Sequence, residues 1–497
     1  MKNSTISRRN LLKLATAAAA SSLGPFPTKA DEASIVIGGL PEDANLDPGV
    51  ITATDWAGLL RNIYQPLVYG GANGDVLPGL ATAWKQLDPV TWEFTTRDNV
   101  QFHNGEKFGP EDVEFTIKRI VEGNLPLRYI LSSVETATAS GPNSVQIKLR
   151  APAPLILKIL NRIPIVQRAS TKTSLVRQTN GTGPYKLEKW SPGDQLVLQY
   201  APNYWGPKPS VKRVIYRSIP DANSLVAAFQ ANEVDLAVGL QPDAASKLSG
   251  SSALDIKAVD TDRTIFINID NTAKPFDDAR VRKALNLSLD RDALVRDILL
   301  GNGSPIANPC GPHYLGYNKS LKPQFDPTKA KELLKEAGLP NGFEFTLNAP
   351  SGRYMKDKEI AEAIVGQWSR VGINAKLVLM EFGTLMTGYR NHKLSPAYLI
   401  GVSQPDLDGA QFLTTVFNSA GSYFKDPELV AAIVEALKMA DVSERRATIE
   451  KLNAEVFEKD AYVYLYLQKA IFGLSKKIKW TPSSNEEIDL ASIELAS

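Results

Sequence analysis

Cysteine is nearly missing: Cys310 is the single one in 497 residues. No intrachain disulfide can form, and no cysteine cluster can hold zinc. Histidine is almost as scarce. His103, His313 and His392 are the only ones, and none has a second histidine three to five positions away, which excludes an HExxH-type zinc site. The GxSxG elbow, the Walker A loop and the dinucleotide fingerprint are all missing. Gly181-Thr182-Gly183-Pro184-Tyr185 begins like a phosphate-binding loop, but Pro184 lacks the backbone N–H that would hold phosphate. No uncharged apolar run reaches the ~20 residues that cross a bilayer. Nor is there an excess of one charge. Residues 1–30 hold Lys2, Arg8, Arg9, Lys13 and Lys29 and no acid; without those five, 56 basic and 54 acidic residues become 51 against 54, net −3. A near-neutral body has no footprint for nucleic acid.

What is present is an ordinary globular composition, 43% apolar and 22% charged. At ~150 residues per domain, the length predicts roughly three domain-sized units. The chain starts with Ser7-Arg8-Arg9-Asn10-Leu11-Leu12, then a short weakly apolar stretch and small residues ending near Ala30. A charged region, a short apolar region and small residues have signal-peptide architecture. The paired arginines resemble a twin-arginine export signal, which predicts a periplasmic protein. No cysteine lies near the expected cleavage point, so no lipid anchor is expected.

Periodicity predicts a mixed α/β chain. Ser34 to Gly39 is β-rich, Asn45 to Gly49 reads as a turn, and Asp55 is expected to cap a helix bearing Trp56, Leu59, Leu60 and Ile63. Residues 70–180 read as an α+β unit: strands at Thr91–Thr95 and Ser144–Leu149, and a helix opened by Pro110-Glu111-Asp112. Residues 181–270 are strand-rich, with a helix at Ser224–Asn232 and a strand at Thr264–Ile269. From about 277, helices alternate with strands. A helix capped by Asp277 or Asp278 is followed by one from Asp290 to Gly301. Helices at Lys329–Ala337 and Lys358–Val371 then flank strands Phe343–Asn348 and Ile373–Met380. A helix at Arg445–Phe457 and a strand at Tyr462–Leu467 close the chain.

Several segments, in order, resemble one family, the solute-binding proteins of dipeptide, oligopeptide and nickel ABC importers (family 5 extracellular solute-binding proteins). They are Leu80-Ala81-Thr82-Ala83-Trp84, Val100 to Phe108 with Glu111-Asp112-Val113, Gly181 to Tyr185 with Asn203-Tyr204-Trp205-Gly206, Pro275 to Leu285 with Asp290-Arg291, and Asp326-Pro327 with Leu333 to Gly338. The resemblance implies an α/β, two-lobed periplasmic-binding-protein fold with a hinge and an extra α+β domain inserted in lobe one. It places the signal at 1–30, lobe one at 31–67, 180–262 and 470–497, the extra domain at 68–179, and lobe two at 263–469.

The resemblance also implies ligand-binding residues. In peptide-binding members a carboxylate in a Gly-Trp-x-x-Asp-like loop of lobe two pairs with the ligand ammonium. The matching stretch is Gly401-Val402-Ser403-Gln404-Pro405-Asp406-Leu407-Asp408, with Val402 at the Trp position and Pro405 at the Asp position. A buried ammonium without a counter-charge costs several kcal/mol, so this departure argues against a free peptide N-terminus. Ser403, Gln404, Asp406 and Asp408 are the candidates there. Arg353, followed by Tyr354, matches an arginine that pairs with the ligand carboxylate; a guanidinium fork suits that role. Thr52, Ala53 and Thr54, with Trp56 beside them, match the lobe-one loop that supplies backbone contacts. Gly181 to Tyr185 is expected to be a structural turn, and Trp84, Trp92, Trp190, Trp205 and Trp368 are expected in the core.

The expected function is a periplasmic receptor of an ABC importer, not an enzyme. It would capture a small peptide or opine-like amino-acid conjugate and pass it to a permease in the inner membrane. No cofactor, no metal and no nucleic acid are expected, and the protein is expected to be a monomer. A metal-chelate or oligosaccharide receptor on the same fold stays open, as do a secreted carboxylate-dependent hydrolase and a periplasmic chaperone or chemoreceptor partner.

Overall fold

Two long antiparallel strands, Leu254–Ile269 and Tyr462–Ser475, tie the molecule together. The computed structural model describes residues 33–39, 45–51, 54–71, 75–404, 407–419 and 421–496. The export signal expected at 1–30, and Thr52, Ala53 and Asp406, lie outside the described residues. The two long strands lie at the middle of an 11-stranded sheet. On one side follow Leu236–Val238, Ser34–Gly38, Arg213–Arg217, Gln195–Tyr200 and Tyr185–Ser191; on the other follow Ala397–Val402, Phe343–Pro350 and Ile373–Met380. The short strand Gly303–Pro305 pairs with Tyr462–Ser475.

Each long strand changes partner region halfway. Leu254 to Asp260 faces Ser475 to Lys469, and Thr264 to Asn268 faces Leu467 to Tyr462. Between them the register shifts: Thr261, Asp262 and Arg263 stand opposite the single residue Gln468. Such excess residues bend a strand and raise its local twist. Here the bend separates two lobes. Lobe one packs Ile35, Ile37, Leu59, Tyr64, Leu198, Val214 and Trp480 into one core. Lobe two packs helices on both faces of its sheet part. Ile265 and Ile267 join helices Ala279–Leu287 and Asp357–Ser369 on one face. Phe266 joins helices Gly409–Phe417, Pro427–Lys438 and Val442–Glu458 on the other. This split follows from strand alternation, which sends successive side chains to opposite faces.

A four-stranded antiparallel sheet forms a third unit, in the order Ala81–Asp88, Thr91–Thr96, Ser144–Leu149, Val134–Gly141. Helix Pro110–Glu122 covers it through Val113, Ile117 and Ile120. Asp112 in its first turn accepts from Gly109 N at 2.9 Å, completing a cap. The expected turn at 181–185 seats this unit on lobe one. His103 N donates to Gly181 O at 2.9 Å, and Gly183 N donates to Ile63 O at 2.8 Å. A Cβ on Gly181 would lie 2.0 Å from Ile63 O, and one on Gly183 2.5 Å from Asn62 O, so only glycine permits this approach.

Local differences from the sequence expectations have simple causes. Asp278, not Asp277, accepts the capping bond, from Arg280 N at 2.8 Å. The helix near Thr54 starts at Thr54, which puts Asp55 inside its first turn rather than at the cap. After Asp290 the helical stretch is Arg291–Ala293 followed by a π-helical turn, Leu294–Ile298. The two long strands extend well past Thr264 and Leu467, because they leave lobe two and continue into lobe one.

Candidate functional site

The apolar packing on the two faces of the crossing is different. One cluster runs without a break from Leu225, Phe229 and Leu240 of lobe one to Ile265, Trp368 and Ile373 of lobe two. On the other face there are two clusters, one reaching Trp480 and Leu490, the other starting at Tyr314 and Cys310. Polar groups fill the gap between them. Arg263 Nη2 meets Glu486 Oε2 at 2.6 Å, joining the crossing to the C-terminal segment of lobe one. Asp262 Oδ1 meets His313 Nδ1 at 2.8 Å, joining it to a loop of lobe two. Burial pushes the Asp262 carboxyl above its usual range, and His313 only partly offsets this. Thr261 Oγ1 donates to Gln468 O at 2.5 Å and ties the bend together. These polar groups stand where the two apolar clusters stop, and they satisfy one another there.

Four of the ten expected residues, Arg353, Tyr354, Ser403 and Gln404, lie on two loops beside the crossing, and Tyr354 itself belongs to the apolar cluster shared by both lobes. Arg353 and Tyr354 follow strand Phe343–Pro350, at its C-terminal end. Asp357 organises their loop: its carboxylate accepts from the backbone N–H of Gly352, Arg353 and Tyr354 at 2.9, 2.8 and 3.0 Å. The Arg353 guanidinium lies 5.1 Å from the Phe382 ring and 5.8 Å from that of Tyr354, in cation–π range. Tyr354 is buried, and its hydroxyl donates to Gly401 O at 3.2 Å. Tyr354 therefore braces the strand Ala397–Val402, which leads into the second loop.

In that second loop Ser403 is half-buried and Gln404 is buried. Gln404 N donates to Tyr314 Oη at 2.6 Å, and its side-chain Nε2 donates to Thr415 Oγ1 at 2.8 Å. Its Oε1 accepts from Arg162 of the inserted unit at 3.2 Å. Asp408 does something else. It is 0% exposed, caps helix Gly409–Phe417 through Gln411 N at 3.0 Å, and receives Arg445 on both carboxylate oxygens at 2.9 and 2.8 Å. Both of its oxygens are committed inside lobe two.

On lobe one, Thr54 opens helix Thr54–Arg61. Trp56 is buried in the lobe-one core, and its indole N–H donates to Asn45 O at 2.8 Å. The loop before Thr52 is further fixed by Asp47, which is paired with Arg119 of the inserted unit and accepts from Gly49 N at 2.9 Å. Trp56 thus braces this loop from behind. The structure joins the Arg353–Tyr354 loop to the strand leading into Ser403 and Gln404 through the Tyr354 hydroxyl and Gly401 O. Sequence reasoning missed Asp357, Arg162, Arg263 and Glu486. Arg263 stands just before the strand expected at Thr264–Ile269, beside Asp260 and Asp262, so its charge did not set it apart.

Among the described residues no cluster of three or more His, Cys, Asp or Glu is placed to hold a metal ion, and no helix is long and apolar enough to cross a membrane. His103 is held neutral: burial lowers it to about 4, and its Nε2 lies 3.0 Å from Gly183 O.

Comparison with known proteins gives a consistent result. The profile of the bacterial extracellular solute-binding proteins, family 5 (middle region), matches residues 75–424. The glutathione-binding protein GsiB of Escherichia coli (strain K12) is 26% identical over 423 residues, spanning 79% of this chain and 80% of its own. The dipeptide-binding protein of the same strain is 27% identical over 387 residues, 70% of this chain and 71% of its own. Among solved structures, the ABC transporter-associated periplasmic binding protein DppA from Helicobacter pylori, in complex with the peptide STSA, has a TM-score of 0.83 and 23% identity. The match covers 93% of this chain and 98% of that one.

Proposed function

Since the chain belongs to the bacterial extracellular solute-binding proteins of family 5, we propose that it is the periplasmic receptor of an ABC importer for a small peptide or opine-like amino-acid conjugate. The observation that carries this reading is the charged gap between the two lobe cores, on the one face of the crossing where the packing is broken. A solute enters there, the lobes rotate about residues 261–263 and 468, and the closed form docks on a permease in the inner membrane. No bond is made or broken in the solute, and the receptor acts as a monomer without nucleic acid.

Arg353 holds a solute carboxylate. Its loop is preorganised by Asp357, so little ordering entropy is spent on binding. Ser403 and Gln404 supply polar contacts, as does the main chain at Thr52, Ala53 and Thr54. Asp406 stands one residue past the position of the family's ammonium-binding carboxylate, which favours a solute whose amine is secondary or masked. The lobes are assigned as 31–67, 180–262 and 470–497 for lobe one, 68–179 for the inserted domain and 263–469 for lobe two. Residues 1–30 act as a twin-arginine-like export signal.

Native mass spectrometry of the signal-free protein, purified without denaturation, tests the reading. The expected result is a co-purified molecule carrying a carboxylate. Arg353→Ala should weaken its binding at least tenfold, since a hydrogen bond to a charged group contributes about 1.5–3 kcal/mol. Turnover of the bound molecule would replace the receptor with a hydrolase.

A further inference from the structure

Arg162 is placed with unusual care for a residue with so weak a partner. It follows the short helix Ile156–Leu160 of the inserted unit, and its N–H donates to Ile159 O at 3.0 Å. Asn161 before it accepts from Arg61 of lobe one at 2.7 Å. Ile163 after it is buried, and Ile165 N donates to Gln65 O of lobe one at 2.9 Å. The backbone is therefore pinned on both sides. From this base the half-buried side chain reaches lobe two, 242 positions along the chain, and one nitrogen donates to Gln404 Oε1 at 3.2 Å. Among the described residues no carboxylate lies within ion-pair distance of it, and that neutral amide is its one side-chain hydrogen-bond partner.

A guanidinium carries five N–H donors in a planar fork. A single long bond to an amide oxygen uses one of them. A carboxylate takes two at once, in shorter and roughly twice as strong bonds. Gln404 cannot follow the arginine toward a better geometry, because Tyr314 and Thr415 hold it at both ends. The site thus presents a fixed cation, desolvated in part, between the inserted domain and the loop that carries Ser403 and Gln404.

We infer that Arg162 is a specificity-determining residue of the cleft, whose guanidinium takes an acidic group of the solute. The inference rests on the receptor reading above and narrows it: the solute is a peptide-like molecule with a second acidic group in addition to the one on Arg353. Gln404 occupies the arginine until the solute arrives. Because the two arginines come from different units of the fold, a doubly acidic solute bridges the cleft and favours the closed form.

The test uses the signal-free protein, stripped of bound molecules by unfolding and refolding, and incubated with an enzymatic digest of casein whose amino groups have been acetylated to match the masked amine of the proposed solute. Retained peptides are released and identified by mass spectrometry, for the wild type, Arg162→Gln and Arg162→Lys, each checked for a wild-type circular-dichroism spectrum. Wild type should enrich peptides with a Glu or Asp side chain at least tenfold over the input. Arg162→Gln should drop that enrichment to the input ratio, and Arg162→Lys should restore part of it, as a point charge without the fork. Equal enrichment by wild type and Arg162→Gln, or retention by wild type at the input ratio, would overturn the role of Arg162 and leave the receptor reading standing. Retention of nothing by the wild type would overturn the peptide-receptor reading and the inference with it.

Discussion

The two faces of the crossing strands do opposite work. On one face Phe229, Leu240, Ile265 and Trp368 belong to a single apolar cluster shared by both lobes. On the other, packing stops near Trp480 and resumes at Tyr314, and Asp262, Arg263, His313 and Glu486 occupy the gap. Hydrophobic contact is non-directional and tolerates small rotations. Hydrogen bonds and ion pairs weaken steeply with angle and distance. On the proposed receptor reading, the continuous face is the back of the pivot and the broken face is the mouth.

The largest effect that would break this contrast is on the apolar face. Phe229→Ala should cost about 3–5 kcal/mol, as for other buried aromatic truncations. Urea unfolding measures it, and a loss below about 1 kcal/mol would mean that the cluster is not a shared core. Less is expected from pH at the polar seat of the inserted domain. Burial holds His103 at about 4, while the unfolded chain takes up its proton near the ordinary histidine value of 6.5. Stability from this group is thus full above about 6.5 and is lost as pH falls toward about 4, by up to ~2 kcal/mol after allowing for partial exposure. Asp460 acts with the opposite sign. Its carboxyl is pushed up to about 6 by burial, so the folded form gains as pH drops through that value. The difference between wild type and His103→Gln across pH 7.5 to 4.5 isolates the histidine, and identical slopes would remove it from the account. The smallest stability change sharpens the contrast most. Glu486→Gln should cost about 1 kcal/mol, because the amide oxygen still accepts from Arg263. Small-angle scattering should nonetheless show a larger mean radius for this variant, and an unchanged radius would mean that the ion pair does not restrain the mouth.

Much of the fold could be read from the chain because its elements are local. The helix at Pro110 carries its own proline, acids and apolar stripe, and the strands at 343–350 and 373–380 alternate around a helix stopped by Gly372. The crossing could be read only in part. Thr264 to Ile269 is apolar enough to declare itself, but Asp255, Lys257, Asp260 and Asp262 mask the first half of the same strand. Asp408 could be read as a loop carboxylate, because nothing near it in sequence points to Arg445, 37 residues further on. Asp357 is one of 54 acidic residues, and its role depends on three N–H groups that converge only after the loop folds. Local order is written in spacing; the site is written in contacts between distant segments.

The register shift at 261–263 has a mechanical meaning. With three residues facing one, the two strands cannot slide past each other without breaking the pairing on both sides, so translation along the strands is blocked. What remains soft is bending about a single line through the sheet. In the proposed receptor the pair would work as a leaf spring clamped at both ends. A rotation of a few degrees at that line becomes a displacement of several ångströms at the far tips of the lobes, where a membrane partner would feel it. A small solute held near the axis can in this way set the outer outline of a much larger body.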